Sequence, residues 1–316
     1  MGIGKVAVLG LLGLTWGGAL WAEPLDRRGQ ASVVDGQGRI WAATWQGLRQ
    51  IQPERGEVRA WRSLPSDTIT GLLVDRAGKL WVGTPMGLYR LDPDRPEASE
   101  VYVIHLASNH ITALAMDRAG LIWAGTNRGL VRLSPHNGET FARIEVPGQS
   151  VQALQFDRQG KLWVGTLTGV YQYDAGRGTL LATHDNLPGT IVQTLAVDTG
   201  ANLWVGTPQG LLAIDTQTNQ VQPLRQNGTN VLAIASDKNG KIWLGSDRGL
   251  ERLNPQSGEI DARAQNLPAG RIQHLRWRSE RLLVSTSVGL GLLNPYQLTG
   301  GQAKAVPLYT PSVASN

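Results

Sequence analysis

A fifteen-residue phrase that returns seven times, glycines spread through every copy, and apolar runs too short for helices together predict an all-β fold. The prediction is a seven-bladed β-propeller of four-stranded antiparallel blades, one repeat of about 40 residues per blade. The phrase reads "RIWAATWQGLRQIQP" at 39–53, "KLWVGTPMGLYRLDP" at 79–93 and "LIWAGTNRGLVRLSP" at 121–135. It continues as "KLWVGTLTGVYQYDA" at 161–175, "NLWVGTPQGLLAIDT" at 202–216, "KIWLGSDRGLERLNP" at 241–255 and "RLLVSTSVGLGLLNP" at 281–295. Its markers are Trp41, Trp81, Trp123, Trp163, Trp204 and Trp243, with Leu283 in the last copy, and their spacings run from 39 to 42 residues. Seven units fill the chain from about residue 25 onward and leave no room for a second domain.

The chain opens on residues 1–22, which place Lys5 before an apolar run from Val6 to Leu20 and then small residues. That pattern predicts a secretory signal peptide cleaved after Ala22, or after Ala19, with an uncleaved anchor as the alternative. The propeller is then expected over residues 23–316. No second apolar run of spanning length follows, so the mature protein is expected to be soluble and periplasmic or secreted. The chain has no cysteine, which excludes disulfides, thiol catalysis and thiolate metal sites. Without Lys5, 29 basic residues stand against 25 acidic ones. No like-charge run or basic stripe with interleaved aromatics occurs, so nucleic acid is a poor partner.

Within a unit the first strand is an apolar run such as "ITALAMD" (111–117). A turn follows, "DRAGK" (75–79) or "DRQGK" (157–161), in which the Asp oxygen accepts from backbone N–H groups and the Gly takes positive φ. The second strand, "LWVGT", carries the tryptophan, which is expected to pack between blades. Gly83, Gly125, Gly165, Gly206 and Gly245, two residues on, leave space for a close neighbour. A two-residue turn leads to a third strand with polar members Arg90, Arg132 and Arg252, and a weaker fourth strand ends the unit. The phrase repeats too often to be an active site, so it is read as scaffold.

The residues "DRAGKLWVGTPMGL" (75–88), "DRAGLIWAGTNRGL" (117–130) and "DRQGKLWVGTLTGV" (157–170) resemble the repeats of the two-component regulator propeller family. The loops "NLPGTIV" (186–192) and "NLPAGRI" (266–272) are similar to the loop that precedes such repeats. The resemblance implies a propeller of the kind found as the extracytoplasmic sensor part of membrane histidine kinases. No kinase, cyclase or transmembrane part accompanies it here, so a signal would pass to a separate partner.

Binding residues are sought where the units differ on one face. Near the start of the first strand one position reads Thr70, Thr112, Gln152, Gln193, Leu232 and Gln273, five of them polar, and is expected to ring the channel mouth. The turns between second and third strands open on the same face and contribute Trp45, Met86, Asn127, Arg128, Asp247 and Arg248. With His110, Arg271 and His274 they suggest a small polar or anionic ligand, or an acidic loop of an envelope or membrane signalling partner. The alternative for all of them is a solvated surface role. The five histidines show no metal-ligand spacing, and no nucleophile elbow or phosphate loop occurs. No catalytic residue, metal or cofactor is assigned, and a monomer is expected. The reading is a non-catalytic sensory or ligand-binding propeller. An envelope assembly scaffold and a metal-assisted lyase or hydrolase are the alternatives.

Overall fold

Evenly spaced glycines and aspartate turns cut the chain into short strands that pair with their neighbours in sequence. The structure, a computed structural model, describes residues 31–310 apart from 45, 62–63, 96–105, 107, 149, 190, 227, 269 and 300. Side chains of 223, 224, 299 and 309 are also outside the description. The signal-peptide reading therefore lies outside the described residues. Among the described residues there are 27 strands and no helix.

The strands fall into seven consecutive sets. The first holds β1 (Ser32–Val34), β2 (Ile40–Thr44), β3 (Gly47–Gln52) and β4 (Glu57–Trp61). The second holds β5 (Gly71–Val74), β6 (Leu80–Thr84) and β7 (Gly87–Leu91), and its expected fourth strand, 100–106, falls largely outside the described residues. The third runs β8 (Ile111–Met116), β9 (Ile122–Thr126), β10 (Gly129–Leu133) and β11 (Thr140–Ile144). The fourth runs β12 (Val151–Phe156), β13 (Leu162–Thr166), β14 (Val170–Asp174) and β15 (Thr179–His184). The fifth is β16 (Thr194–Val197), β17 (Asn202–Thr207), β18 (Gly210–Asp215) and β19 (Val221–Arg225). The sixth is β20 (Val231–Ser236), β21 (Ile242–Ser246), β22 (Gly249–Leu253) and β23 (Ile260–Gln265). The seventh is β24 (Ile272–Arg278), β25 (Arg281–Thr286), β26 (Gly289–Thr299) and β27 (Gln302–Tyr309).

Each set is an up-and-down antiparallel sheet, as the two-residue turns require. The first strands touch one another in sequence, β1 to β5, β8, β12, β16, β20 and β24, and β24 touches β1 again. This ring of inner strands makes the fold a β-propeller around a central channel. The last two sets share one eight-stranded sheet, because β27 pairs antiparallel with β26 and parallel with β23 through Arg263–Gln302, Ala264–Ala303 and Gln265–Lys304. The segment 303–310, one of two expected ways of completing the ring, is therefore the outer strand of the seventh set. The other, Glu23–Gln30, lies outside the described residues.

The core is a series of clusters, one between each pair of neighbouring sets. Trp123 and Leu130 of the third set pack with Val151, Leu162, Val164, Tyr171 and Tyr173 of the fourth. Trp163 and Val170 meet Val192, Leu203 and Val205 in the same way. Between the seventh set and the first, Leu283, Leu290 and Leu292 pack on Ile40, Ala42 and Ile51. All six phrase tryptophans are buried to 1 % exposure or less. The phrase glycine is what permits the approach. A Cβ on Gly125 would stand 2.5 Å from Val151 Cγ1 of the next set, far inside contact distance.

Candidate functional site

The aspartate turns at one end of the channel are built by a shared device. Asp157 Oδ1 accepts from the N–H groups of Gln159 and Lys161 at 2.9 Å each, while its Oδ2 accepts from Trp163 Nε1 at 2.9 Å. Asp35, Asp75, Asp117 and Asp198 hold Trp41, Trp81, Trp123 and Trp204 likewise, at 2.8–3.0 Å. In the sixth set Asp237 keeps its two backbone bonds, but Trp243 Nε1 makes no hydrogen bond. Arg90, Arg132 and Arg252 lie over the faces of Trp81, Trp123 and Trp243 at 5.6–5.8 Å. Burial pushes the Asp35 carboxyl up, but hydrogen bonds from Trp41 and Arg39 outweigh it and hold it below its ordinary value. The tryptophan is thus a buried wedge with a polar anchor, and the anchor was not read from the sequence. The signal was present as a constant six-residue interval from Asp to Trp.

At the opposite end the two-residue turns are clasped by the phrase threonine. Thr84 Oγ1 donates to the Gly87 carbonyl at 3.1 Å and accepts from the Met86 N–H at 3.0 Å. The same pair of bonds recurs from Thr44, Thr126, Thr166, Thr207, Ser246 and Thr286. The glycine that closes the turn is required by backbone, as at Gly129, where φ is 117° and a Cβ would meet the Ile144 carbonyl oxygen at 2.6 Å. Seven turns of one geometry therefore display different side chains on one rim. Met86, Asn127, Arg128, Asp247 and Arg248 are all exposed there. Arg248 Nη2 donates to the Gly228 carbonyl at 3.1 Å, which turns its head toward the preceding loop. Trp45 lies outside the described residues. His110 and Arg271 are exposed on the loops entering β8 and β24.

The expected ring of polar residues occupies a shared irregularity. Thr112, Gln152, Leu232 and Gln273 are the extra residues where the inner strand shifts register against the second strand. Such a bulge leaves its residue outside the ladder and re-aims the side chain. Thr70 and Gln193 stand just before β5 and β16, with their N–H groups bonded to the Gly83 and Gly206 carbonyls at 2.9 and 2.8 Å. All six are half-buried. Thr70 Oγ1 reaches the Ile111 carbonyl of the next set at 2.5 Å, and Gln152 Nε2 donates to Ser150 Oγ at 2.8 Å. No hydrogen bond joins any two of the sequence-predicted site residues among the described residues.

His274 sits elsewhere than on the rim. It lies in β24, and its Nδ1 is 3.1 Å from Ser32 Oγ, which accepts from Ser285 Oγ at 3.1 Å. This trio crosses from the seventh set to the first. Burial, followed by the charge of Arg276, pushes the His274 imidazole down to about 4. At other interfaces the matching positions hold small and branched residues, such as Ala113 with Gly125 and the following Leu154, with Thr194 in the fifth set the polar member. Among the described residues no three His, Asp or Glu side chains converge as a metal site.

The model of the two component regulator propeller matches residues 63–86, 105–128, 145–168 and 225–248. Each match runs into a first strand, through its aspartate turn and second strand, to a rim turn. Among solved structures, the extracellular domain of the hybrid two-component system BT3049 from B. thetaiotaomicron is 20 % identical with a TM-score of 0.74. The similarity covers 85 % of this chain and 39 % of that one. The extracellular domain of BT4673 from the same organism is 18 % identical with a TM-score of 0.69, over 86 % and 38 % of the two chains. This chain thus spans about two fifths of those sensor domains. Virginiamycin B lyase from Staphylococcus aureus is 12 % identical with a TM-score of 0.70, over 83 % and 92 %. Compared with curated protein sequences, the chain has no match. These likenesses carry the fold, a β-propeller, and four segments of the chain are similar to the repeat of the two component regulator propeller.

Proposed function

We propose that this chain is an extracytoplasmic sensory propeller that binds a ligand on its rim-turn face and signals through a separate membrane or envelope partner. The observation that carries the reading is the rim itself. One hydroxyl clasp, from threonine in six turns and from Ser246 in the other, fixes seven turns in one geometry, while the residues displayed there differ from turn to turn. A scaffold held so constant under a varied surface is the arrangement expected of recognition rather than of packing. The extracellular sensor domains that share the fold, and the signal-like leader read in the sequence, support an export address. The chain is read as non-catalytic because, among the described residues, the side-chain bonds of the rim turns, such as Thr168 with Tyr171 and Gln46 with Arg49, join no histidine or carboxylate base to a nucleophile.

The test is a thermal-shift screen of the full chain against sugars, small anions and divalent metals, followed by calorimetry on each hit. A saturable response that Arg128→Ala or Asn127→Ala weakens supports the reading. Binding of metal alone, with turnover of a cyclic ester substrate, would replace it by the lyase alternative. A flat screen would remove small-molecule sensing and leave the assembly scaffold.

A further inference from the structure

Besides His274, the inner strand of the seventh set departs from the other six at a second position. The first-strand residue paired with the phrase tryptophan is Val33, Leu73, Ala115, Gln155, Ala196 or Ala235. In the seventh set it is Arg276, paired with Leu283. Arg276 is exposed, yet burial alone pushes its guanidinium below the ordinary value. Those two facts agree for a side chain on the inner strand that is wetted at its head but surrounded by protein along its length. It forms no hydrogen bond or ion pair with any described residue. His274, two residues earlier, is bonded to Ser32, and an imidazole in either protonation state is no counter-charge to a guanidinium.

The channel end nearest Arg276 is the aspartate-turn end. The second turn residue there is Arg76, Arg118 or Arg158 in three successive sets, each exposed. The Arg76 guanidinium donates to the Arg118 carbonyl, and that of Arg118 to the Arg158 carbonyl, which lays the heads along the mouth. Asp75 and Asp117 of those turns are already engaged by N–H groups and indoles, and Glu280 is paired with Lys238, while in the sixth set Asp237 Oδ2 is buried without a hydrogen bond.

We infer that Arg276 anchors a small anion, a carboxylate or a phosphate group, in the channel, and that Arg76, Arg118 and Arg158 draw it in. A guanidinium meets two oxygens of either group at once. A basic mouth with low-dielectric walls raises the local anion concentration. The inference goes beyond the rim reading: it is a second site, at the end of the channel opposite the rim turns.

The experiment uses the full chain with inorganic phosphate and acetate as probes, and chloride at equal ionic strength as the control. A saturable rise in melting temperature is expected with at least one probe. Arg276→Ala should weaken that binding about tenfold or more, the loss of a charge-assisted pair, while Arg177→Ala, in the exposed turn between β14 and β15, leaves it unchanged. In chloride, Arg276→Ala should melt no lower than the unaltered protein, because the cation it removes has no partner. A lower melting temperature in chloride with an equal probe response in both proteins would assign Arg276 to packing and overturn the site. Absence of any probe response overturns it as well, and leaves the rim reading to its own sugar and metal arms. Cosedimentation with phosphatidylglycerol vesicles, equal for both proteins and without a response to free phosphate, would place the anion preference at a membrane surface and also overturn it.

Discussion

Asp157 shows what one residue does in this repeat. Its two oxygens hold the turn backbone and the buried indole of Trp163 together, so the hairpin and the inter-blade wedge share one anchor. Asp157→Ala strands two N–H groups and an indole N–H and is expected to cost about 1–3 kcal/mol in denaturant unfolding. Trp163→Ala adds a cavity between the fourth and fifth sets, for an expected loss of about 3–5 kcal/mol. An unchanged midpoint in that variant would contradict the packing assignment. Gly125→Val, forced against Val151, should cost about 1–3 kcal/mol by overpacking. At this scale the sequence was legible for what is repeated: the tryptophan, its glycine and the turn aspartate. Their hydrogen bond was not, because Asp and Trp meet only once the hairpin has folded. The threonine clasp was hidden for the same reason, since "GT" in the phrase read as strand rather than as the start of a turn.

Among the elements, β24 and β27 carry the ring closure. β27 buries Ala303 and Ala305 between the last two sets and pairs with both β26 and β23. Deleting residues 303–316 should lower the melting temperature by on the order of 10 °C, and a midpoint equal to that of the intact chain would remove β27 from the closure. The outer strand at 303–310 was legible only as one of two ways of closing the ring. Its parallel pairing with β23 could not, because nothing in the sequence marks how far the β26–β27 hairpin reaches. β24 contributes the polar trio at the seam to the first set. His274 titrates near 4 there against about 6.5 for a free imidazole, so between those values the unfolded chain binds more protons than the folded one. Stability is therefore full above about pH 6.5 and falls as the pH drops toward 4, by at most ~3 kcal/mol from this residue. His184, held down by burial beside Trp163, adds a loss in the same direction. Melting curves at pH 7.5 and 5.0 should show a smaller difference in His274→Gln than in the unaltered chain. An equal difference would remove His274 from the seam's pH response.

The whole molecule is a ring whose successive interfaces are alike except one. Six are wedged by a tryptophan, and the seventh is closed by Leu283, the His274–Ser32–Ser285 trio, and Arg278 bonded to the Gly38 carbonyl and Glu54. The propeller was legible from period and turn chemistry, since both are local and repeated. The candidate site was legible only as a set of positions. The rim turns stand out because their letters change within a constant frame, whereas Arg276 looked like one more arginine until the strand pairing put it beside Leu283. The account turns on closure between the seventh set and the first. The chain has no cysteine, so spin labels can be placed singly at exposed turn positions. Pulsed electron-resonance distances between Gln37→Cys and Ser279→Cys, across the seam, should match in mean and width those between Ala77→Cys and Ala119→Cys, across an ordinary interface. A long or broad distribution at the seam, with a narrow one for the reference pair, would contradict the ring.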